Sequence, residues 1–172
     1  MLIVALALIA TACGSSSSTS SSSSSPASAP TTSTTTSTSS AVKLGVASLP
    51  RIGAVLVNGQ GRTLYIFVPD HAKRVTCIGG CADIWPPLKI AAGAKPTLSG
   101  PVVPSLVSSD SDPAGGQVVT YNGWPLYLYV ADSAPGTDRG QGLNSSGGLW
   151  YAIRPNGEVV KNTGGTSTTA TY

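Results

Sequence analysis

Leu64-Tyr65-Ile66-Phe67-Val68-Pro69-Asp70 returns later in the chain as Leu126-Tyr127-Leu128-Tyr129-Val130-Ala131-Asp132. Each position recurs 62 residues on, and each copy follows a glycine, Gly61 or Gly123, at the same distance. A repeat this long, with matched aromatics and a matched carboxylate, restricts the chain to a fold built from two copies of one unit. Within a copy the aromatics are spaced i and i+2, so they share one face of a strand. Leucine, isoleucine and valine occupy the other face, and a strand apolar on both faces is buried on both. Tyr and Phe should therefore fill a core, with their hydroxyls finding backbone partners at its rim.

The surrounding sequence extends each copy into a hairpin. Ala54–Asn58 and Thr63–Val68 flank Asn58-Gly59-Gln60-Gly61; Gln117–Tyr121 and Pro125–Val130 flank Asn122-Gly123. Asn-Gly between β-rich runs is a strong hairpin signal because both residues tolerate positive φ. Pro125 lacks an N–H and should open its strand at an edge or a non-hydrogen-bonding position. Each copy then passes through a glycine-rich loop to a tryptophan, Trp85 or Trp150, 65 residues apart, so the second loop is three residues longer. Trp150–Ile153 and Glu158–Val160 read as a final hairpin around Pro155-Asn156-Gly157, and Pro96–Pro104 as the connection between copies. Gly, Pro and short apolar runs predict an all-β class: two pseudo-repeated hairpin units packed as one small sandwich or barrel-like domain.

The flanks differ sharply from this domain. Residues 1–12 are almost wholly apolar and end in small residues, as in a secretory signal peptide. Ala10-Thr11-Ala12-Cys13 resembles a bacterial lipobox, which implies lipidation of Cys13 and attachment to a membrane. Residues 13–41 begin with that cysteine and continue as a tract of Ser and Thr with Ala and Pro, too polar to fold. As a flexible coil such a tether reaches roughly 30 Å. The β domain is expected over residues 42–162, with a flexible polar tail at 163–172. All ten Lys/Arg and all seven Asp/Glu fall within the domain, giving a net charge of +3 without a basic run. Nucleic-acid binding requires a clustered basic patch, so no nucleic-acid partner is expected; a monomer is.

Several residues invite a chemical reading. Asp70 and Asp132 end their strands, where a carboxylate commonly accepts backbone N–H groups of its own turn. Alternatively the pair converges across a pseudo-twofold to bind a cation or polar ligand, and Asp83, Asp110, Asp112 and Asp138 offer further oxygens for calcium. None has the ligand spacing of a known calcium loop, so no metal or other cofactor is assigned. Cys77 and Cys81 flank Ile78-Gly79-Gly80. Outside the cytoplasm the default is a disulfide; free redox thiols, or metal ligation with His71, are the alternatives. His71 is the single histidine and reads as an exposed turn residue. No nucleophile elbow accompanies it. Trp85, Trp124 and Trp150, with Tyr121, could form a ligand-binding platform, although Trp85 and Trp150 suit core packing as well.

Gly-Arg-Thr-Leu-Tyr-Ile-Phe-Val-Pro-Asp with Cys-Ile-Gly-Gly-Cys-Ala-Asp-Ile-Trp resembles the first unit of the bacterial secreted-repeat lipoproteins, whose motif is Tyr-x-(Phe/Trp/Tyr)-x-x-Asp. Gln117–Asp132 with Pro135–Gly142 and Leu149-Trp150-Tyr151 resembles the second. The motif residues are then Tyr65, Phe67 and Asp70, and Tyr127, Tyr129 and Asp132. The resemblance implies a lipid-anchored protein on the outer face of a bacterial cytoplasmic membrane. It does not imply an activity. The expected role is a non-enzymatic binding or structural module of the cell envelope, with an envelope partner or small ligand. A redox or electron-transfer accessory and a small hydrolase are the alternatives.

Overall fold

The computed structural model describes residues 41–70 and 74–161. The expected signal peptide, Cys13, nearly all of the tether, His71 and the polar tail lie outside the described residues. Ten strands, β1 to β10, form three small sheets among the described residues. β1 (Lys43–Leu49) and β2 (Gly53–Asn58) make an antiparallel hairpin, and β5 (Thr97–Leu98) adds in parallel to β1. β3 (Tyr65–Phe67) pairs with β10 (Gly148–Ala152), which also pairs with β9 (Asn144–Ser145). β7 (Gln117–Tyr121) lies between β4 (Lys89–Ile90) and β6 (Val107–Ser111), with β8 (Trp124–Pro125) turned back on it. One short helix, α1 (Gly80–Ile84), precedes Trp85. The all-β class stands; the sheets pack together without closing into a barrel.

The turns follow from their residues. Asn122 and Gly123 have φ of 50° and 80°, the paired positive angles that let Tyr121 and Trp124 face each other across a two-residue turn. In the first copy the Asn58 side-chain carbonyl accepts N–H groups of Gln60 and Arg62, both at 3.0 Å, and Gly61 supplies a φ of 74°. The final hairpin forms as expected, with Arg154 N–H donating to Glu158 C=O at 2.8 Å.

Four elements depart from the sequence expectation. The strand expected at Thr63–Val68 is only Tyr65–Phe67, and Val68–Asp70 turns into a single 3-10 turn at Pro69, which has no N–H for a ladder. In the second copy the run Pro125–Val130 breaks into β8 and single bridges at Tyr127, leaving Val130 51% exposed. β1 and β6 carry no strong strand signature. β6 is Val-Ser-Ser-Asp-Ser, a poor strand former held by five register pairs with β7.

The copies are interlocked. The first motif strand pairs with the tryptophan strand of the second copy, Phe67 opposite Trp150 and Tyr65 opposite Ala152. The second motif strand reciprocates: Leu128 N–H donates to Pro86 C=O and Leu88 N–H to Leu126 C=O, at 2.9 and 2.8 Å. Neither copy completes its own backbone ladder. The motif strands therefore divide the interior in two. Leu64, Ile66 and Leu126 point into one buried cluster, which also holds Tyr121 and Val119. Tyr65, Phe67 and Tyr127 point into the other, with Trp85 and Trp150. This is the alternation expected of strands buried on both faces.

Candidate functional site

Where the motif strands meet, Tyr65 N–H donates to Tyr127 C=O and Tyr127 N–H to Tyr65 C=O, each at 2.9 Å. This exchange marks the pseudo-twofold. From it the two side chains reach past each other. The Tyr65 hydroxyl donates to Asp132 Oδ2 and the Tyr127 hydroxyl to Asp70 Oδ2, both at 2.5 Å. Each motif thus supplies a tyrosine to the other's aspartate. Distances of 2.5–2.7 Å are typical of O–H donated to an ionised oxygen, roughly twice as strong as a neutral bond.

The remaining carboxylate oxygens are held by their own loops. Asp70 Oδ1 accepts from Thr76 N–H at 2.8 Å and from the Thr76 hydroxyl at 2.5 Å. Asp132 Oδ1 accepts from Arg139 N–H at 2.9 Å. Both aspartates are 0% exposed. The two sequence-level alternatives therefore merge: each aspartate caps its own loop and also crosses the pseudo-twofold, but the crossing ends on a tyrosine and not on an open pocket. The tyrosine hydroxyls, expected to find backbone partners, both donate to carboxylates, and Tyr65 also has the expected backbone partner, accepting from Gly140 N–H at 3.3 Å.

Burial pushes the Tyr65 and Tyr127 hydroxyls well above the ordinary tyrosine range, and the adjoining carboxylates add to the effect. Both remain protonated donors at neutral pH. Burial also raises the Asp70 carboxyl, against the opposing pull of the Thr76 and Tyr127 donors.

Beside these pairs lies a stack of four rings. Phe67 stacks on Trp150 (centroids 4.2 Å apart, planes at 19°) and Trp150 on Trp85 (3.9 Å, 1°). Trp85 in turn stacks on Tyr129 (4.2 Å, 21°). Tyr65 meets Trp85 edge-on at 5.6 Å, and Tyr127 meets Trp150 edge-on at 5.2 Å. Phe67 and Tyr129 each stack on the tryptophan of the other copy, whereas Tyr65 and Tyr127 each meet the tryptophan of their own. Trp85 and Trp150 are both 0% exposed, so of their two sequence readings the structure has core packing. The platform with Trp124 does not form, because Trp124 and Tyr121 belong to the opposite cluster.

The loops are closed by different means. Cys77 and Cys81 form a disulfide in the first, with Cα atoms 5.2 Å apart. In the second, Arg62 reaches across from the first copy, its guanidinium donating to the carbonyls of Asp132 and Tyr129, both at 2.8 Å. Gly140 lies so close to Tyr65 and Trp85 that a Cβ there would fall 2.8–2.9 Å from their ring atoms. The four aspartates considered for calcium are dispersed. Asp112 pairs with Lys89, Asp138 pairs with Arg51 at 3.3 Å, and Asp83 is exposed. Asp110 sits on β6 with one buried oxygen that lacks a hydrogen bond. Among the described residues no three Asp, Glu, His or Cys side chains gather to hold a metal.

Sequence reasoning missed Thr76, Arg139, Gly140 and Arg62. Their signals are weak: two backbone amides, one of them with its own hydroxyl, one absent side chain, and one arginine whose place in the second copy is taken by Trp124.

These features define a class: an all-β domain of two interlocked copies joined by crossed Tyr–Asp pairs around a stacked aromatic centre. The sequence pattern of a family described as a secreted repeat of unknown function matches at residues 49–89 and again at 108–154, just over half of the chain. The chain belongs to that family. The two matches coincide with the two copies, and membership places the domain outside the cytoplasm. No curated protein and no solved structure matches the chain. Among the described residues no helix is long and apolar enough to cross a membrane.

Proposed function

We propose that this chain is a lipid-anchored, non-enzymatic module of the bacterial cell envelope, in which the repeat motif builds the frame and the exposed loops and grooves meet a partner. One observation carries the non-enzymatic part. Both motif carboxylates are 0% exposed, and all four of their oxygens accept hydrogen bonds. A hydrolase using them would need substrate access to at least one. Anchoring rests on the lipobox-like Ala10-Thr11-Ala12-Cys13 and the Ser/Thr tether behind it.

Two grooves on the surface are open to a partner. One, of about 410 Å³, runs between Ile90, Pro96, Leu98, Pro104 and Val107, with Lys95 at its side. The other, of about 370 Å³, lies over Val42, Leu88 and Leu128. Cell fractionation tests the anchor: Cys13→Ser should release the protein to the medium, and continued retention in the membrane pellet would refute it. The frame reading is tested by Asp70→Asn combined with Asp132→Asn. Lost thermal stability is the expected result; an unchanged melting temperature together with lost binding to isolated envelopes would move the motif from frame to binding site.

A further inference from the structure

We propose that the buried aromatic centre is a one-electron relay: an electron vacancy created at Tyr129 passes through stacked Trp85 and Trp150 and settles on Tyr65 or Tyr127, whose phenolic proton moves to Asp132 or Asp70. The inference goes beyond the envelope-module reading and does not depend on the anchor or on any bound partner.

The rings supply the route. Tyr129 is half-buried at one end of the stack, whereas Phe67 at the other end is 3% exposed, so access is from the Tyr129 side. Trp85 and Trp150 lie 3.9 Å apart with planes at 1°, an overlap over which a radical cation is shared between two indoles. Tyr65 touches the first indole and Tyr127 the second. The vacancy therefore has a tyrosine beside it on either tryptophan.

The aspartates supply the proton acceptor. A tyrosine that loses an electron must also lose its proton, and in a low-dielectric interior a charge left uncompensated is costly. Here each hydroxyl is already donating to a carboxylate at 2.5 Å. The step balances. A strong one-electron oxidant, such as a ferryl haem or another high-valent metal complex of the envelope, gains one electron. The phenolic O–H bond breaks, an O–H bond forms on the carboxylate, and the pair becomes a neutral tyrosyl radical beside a carboxylic acid. An electron donor of the same class reverses it.

Packing alone does not call for this chemistry. Burying a carboxylate is costly, and a tyrosine hydroxyl is satisfied without one. Tyr121, also 0% exposed, donates its hydroxyl to the backbone carbonyl of Pro155 at 2.5 Å. Among the described residues, only the two tyrosines that meet the indoles edge-on, Tyr65 and Tyr127, donate to carboxylates. Strongly perturbed tyrosines grouped with specific acidic partners are also what a functional centre presents.

The test uses the full chain in a Tyr172→Phe background, oxidised by flash photolysis of tris-bipyridine ruthenium with persulfate and read by electron paramagnetic resonance. The expected product is a neutral tyrosyl radical on Tyr65 or Tyr127, whose spectrum Tyr65→Phe with Tyr127→Phe replaces by that of a Tyr129 radical. Trp85→Phe, which keeps a ring in the stack, should stop the transfer and leave the radical on Tyr129. Asp70→Asn with Asp132→Asn, which removes the proton acceptors, should likewise leave the radical on Tyr129. A wild-type radical confined to Tyr129, Tyr151 or Trp124 would overturn the proposal, and that measurement needs no variant to fold. So would a tyrosyl signal whose yield and identity survive Trp85→Phe.

Discussion

The two copies share a centre and differ in how their loops are secured, which separates what the repeat requires from what each copy can vary. At the centre the correspondence is close: Tyr65 to Asp132 mirrors Tyr127 to Asp70, and Phe67 on Trp150 mirrors Tyr129 on Trp85. At the loops it ends. Asp70 takes two donors from Thr76, one residue ahead of a disulfide that closes the turn covalently. Asp132 takes one donor from Arg139, in a loop pinned by an arginine borrowed from the first copy. The interlocked centre diverges only between Phe67 and Tyr129, because each half of it is made by both copies. The loops are local, so two unrelated devices serve equally well.

The strongest way to break this comparison is to separate the copies. Residues 41–103 and 104–161, expressed apart, should each lack cooperative unfolding by circular dichroism, and mixing them should restore it. A half that folds alone would show the copies to be independent units. Next in size are the aspartates. Hydrogen bonds to a charged group are worth about 1.5–3 kcal/mol each, so Asp70→Ala and Asp132→Ala should each lose roughly 3 kcal/mol or more in urea titrations. The loss should be larger for Asp70, which has the extra donor. Equal losses would mean the centre alone sets the cost.

Gly140→Ala should cost about 1–3 kcal/mol by forcing Tyr65 and Trp85 apart, and no equivalent position exists in the first loop. Native near-ultraviolet dichroism and stability in that variant would show that the second loop yields without disturbing the rings. Reducing Cys77–Cys81 should cost about 2 kcal/mol or less, because the closed loop is short. Its mark should be local: faster hydrogen exchange at the Thr76 amide with the Arg139 amide unchanged.

The smallest expected effect concerns pH. A carboxyl raised in the folded state contributes stability that is fully present below its unfolded value and is lost as pH rises through the folded value. Burial raises Asp70 above 3.8. Wild type should therefore gain stability relative to Asp70→Asn as pH falls toward that value. A difference that narrows on acidification would give the Thr76 and Tyr127 donors the upper hand over burial.

Much of the architecture is legible in the chain. Alternation of aromatics and aliphatics placed Tyr65 and Phe67 opposite Leu64 and Ile66, and the two buried clusters divide along that line. Asn122-Gly123 identified its turn, and the extracytoplasmic setting favoured the bond between Cys77 and Cys81. These are properties set by strand periodicity, by backbone φ and by compartment, and a sequence carries them directly. β6 was not legible, since Ser and Asp give no strand preference and only pairing with β7 makes one. Nor was the partner of either aspartate. Asp70 and Tyr127 are 57 residues apart, and nothing in the spacing of one motif says which tyrosine its carboxylate will meet. That choice belongs to the tertiary structure: each motif segment pairs with the chain at or just after the other copy's tryptophan, and the exchange turns two similar local patterns into one shared, buried centre.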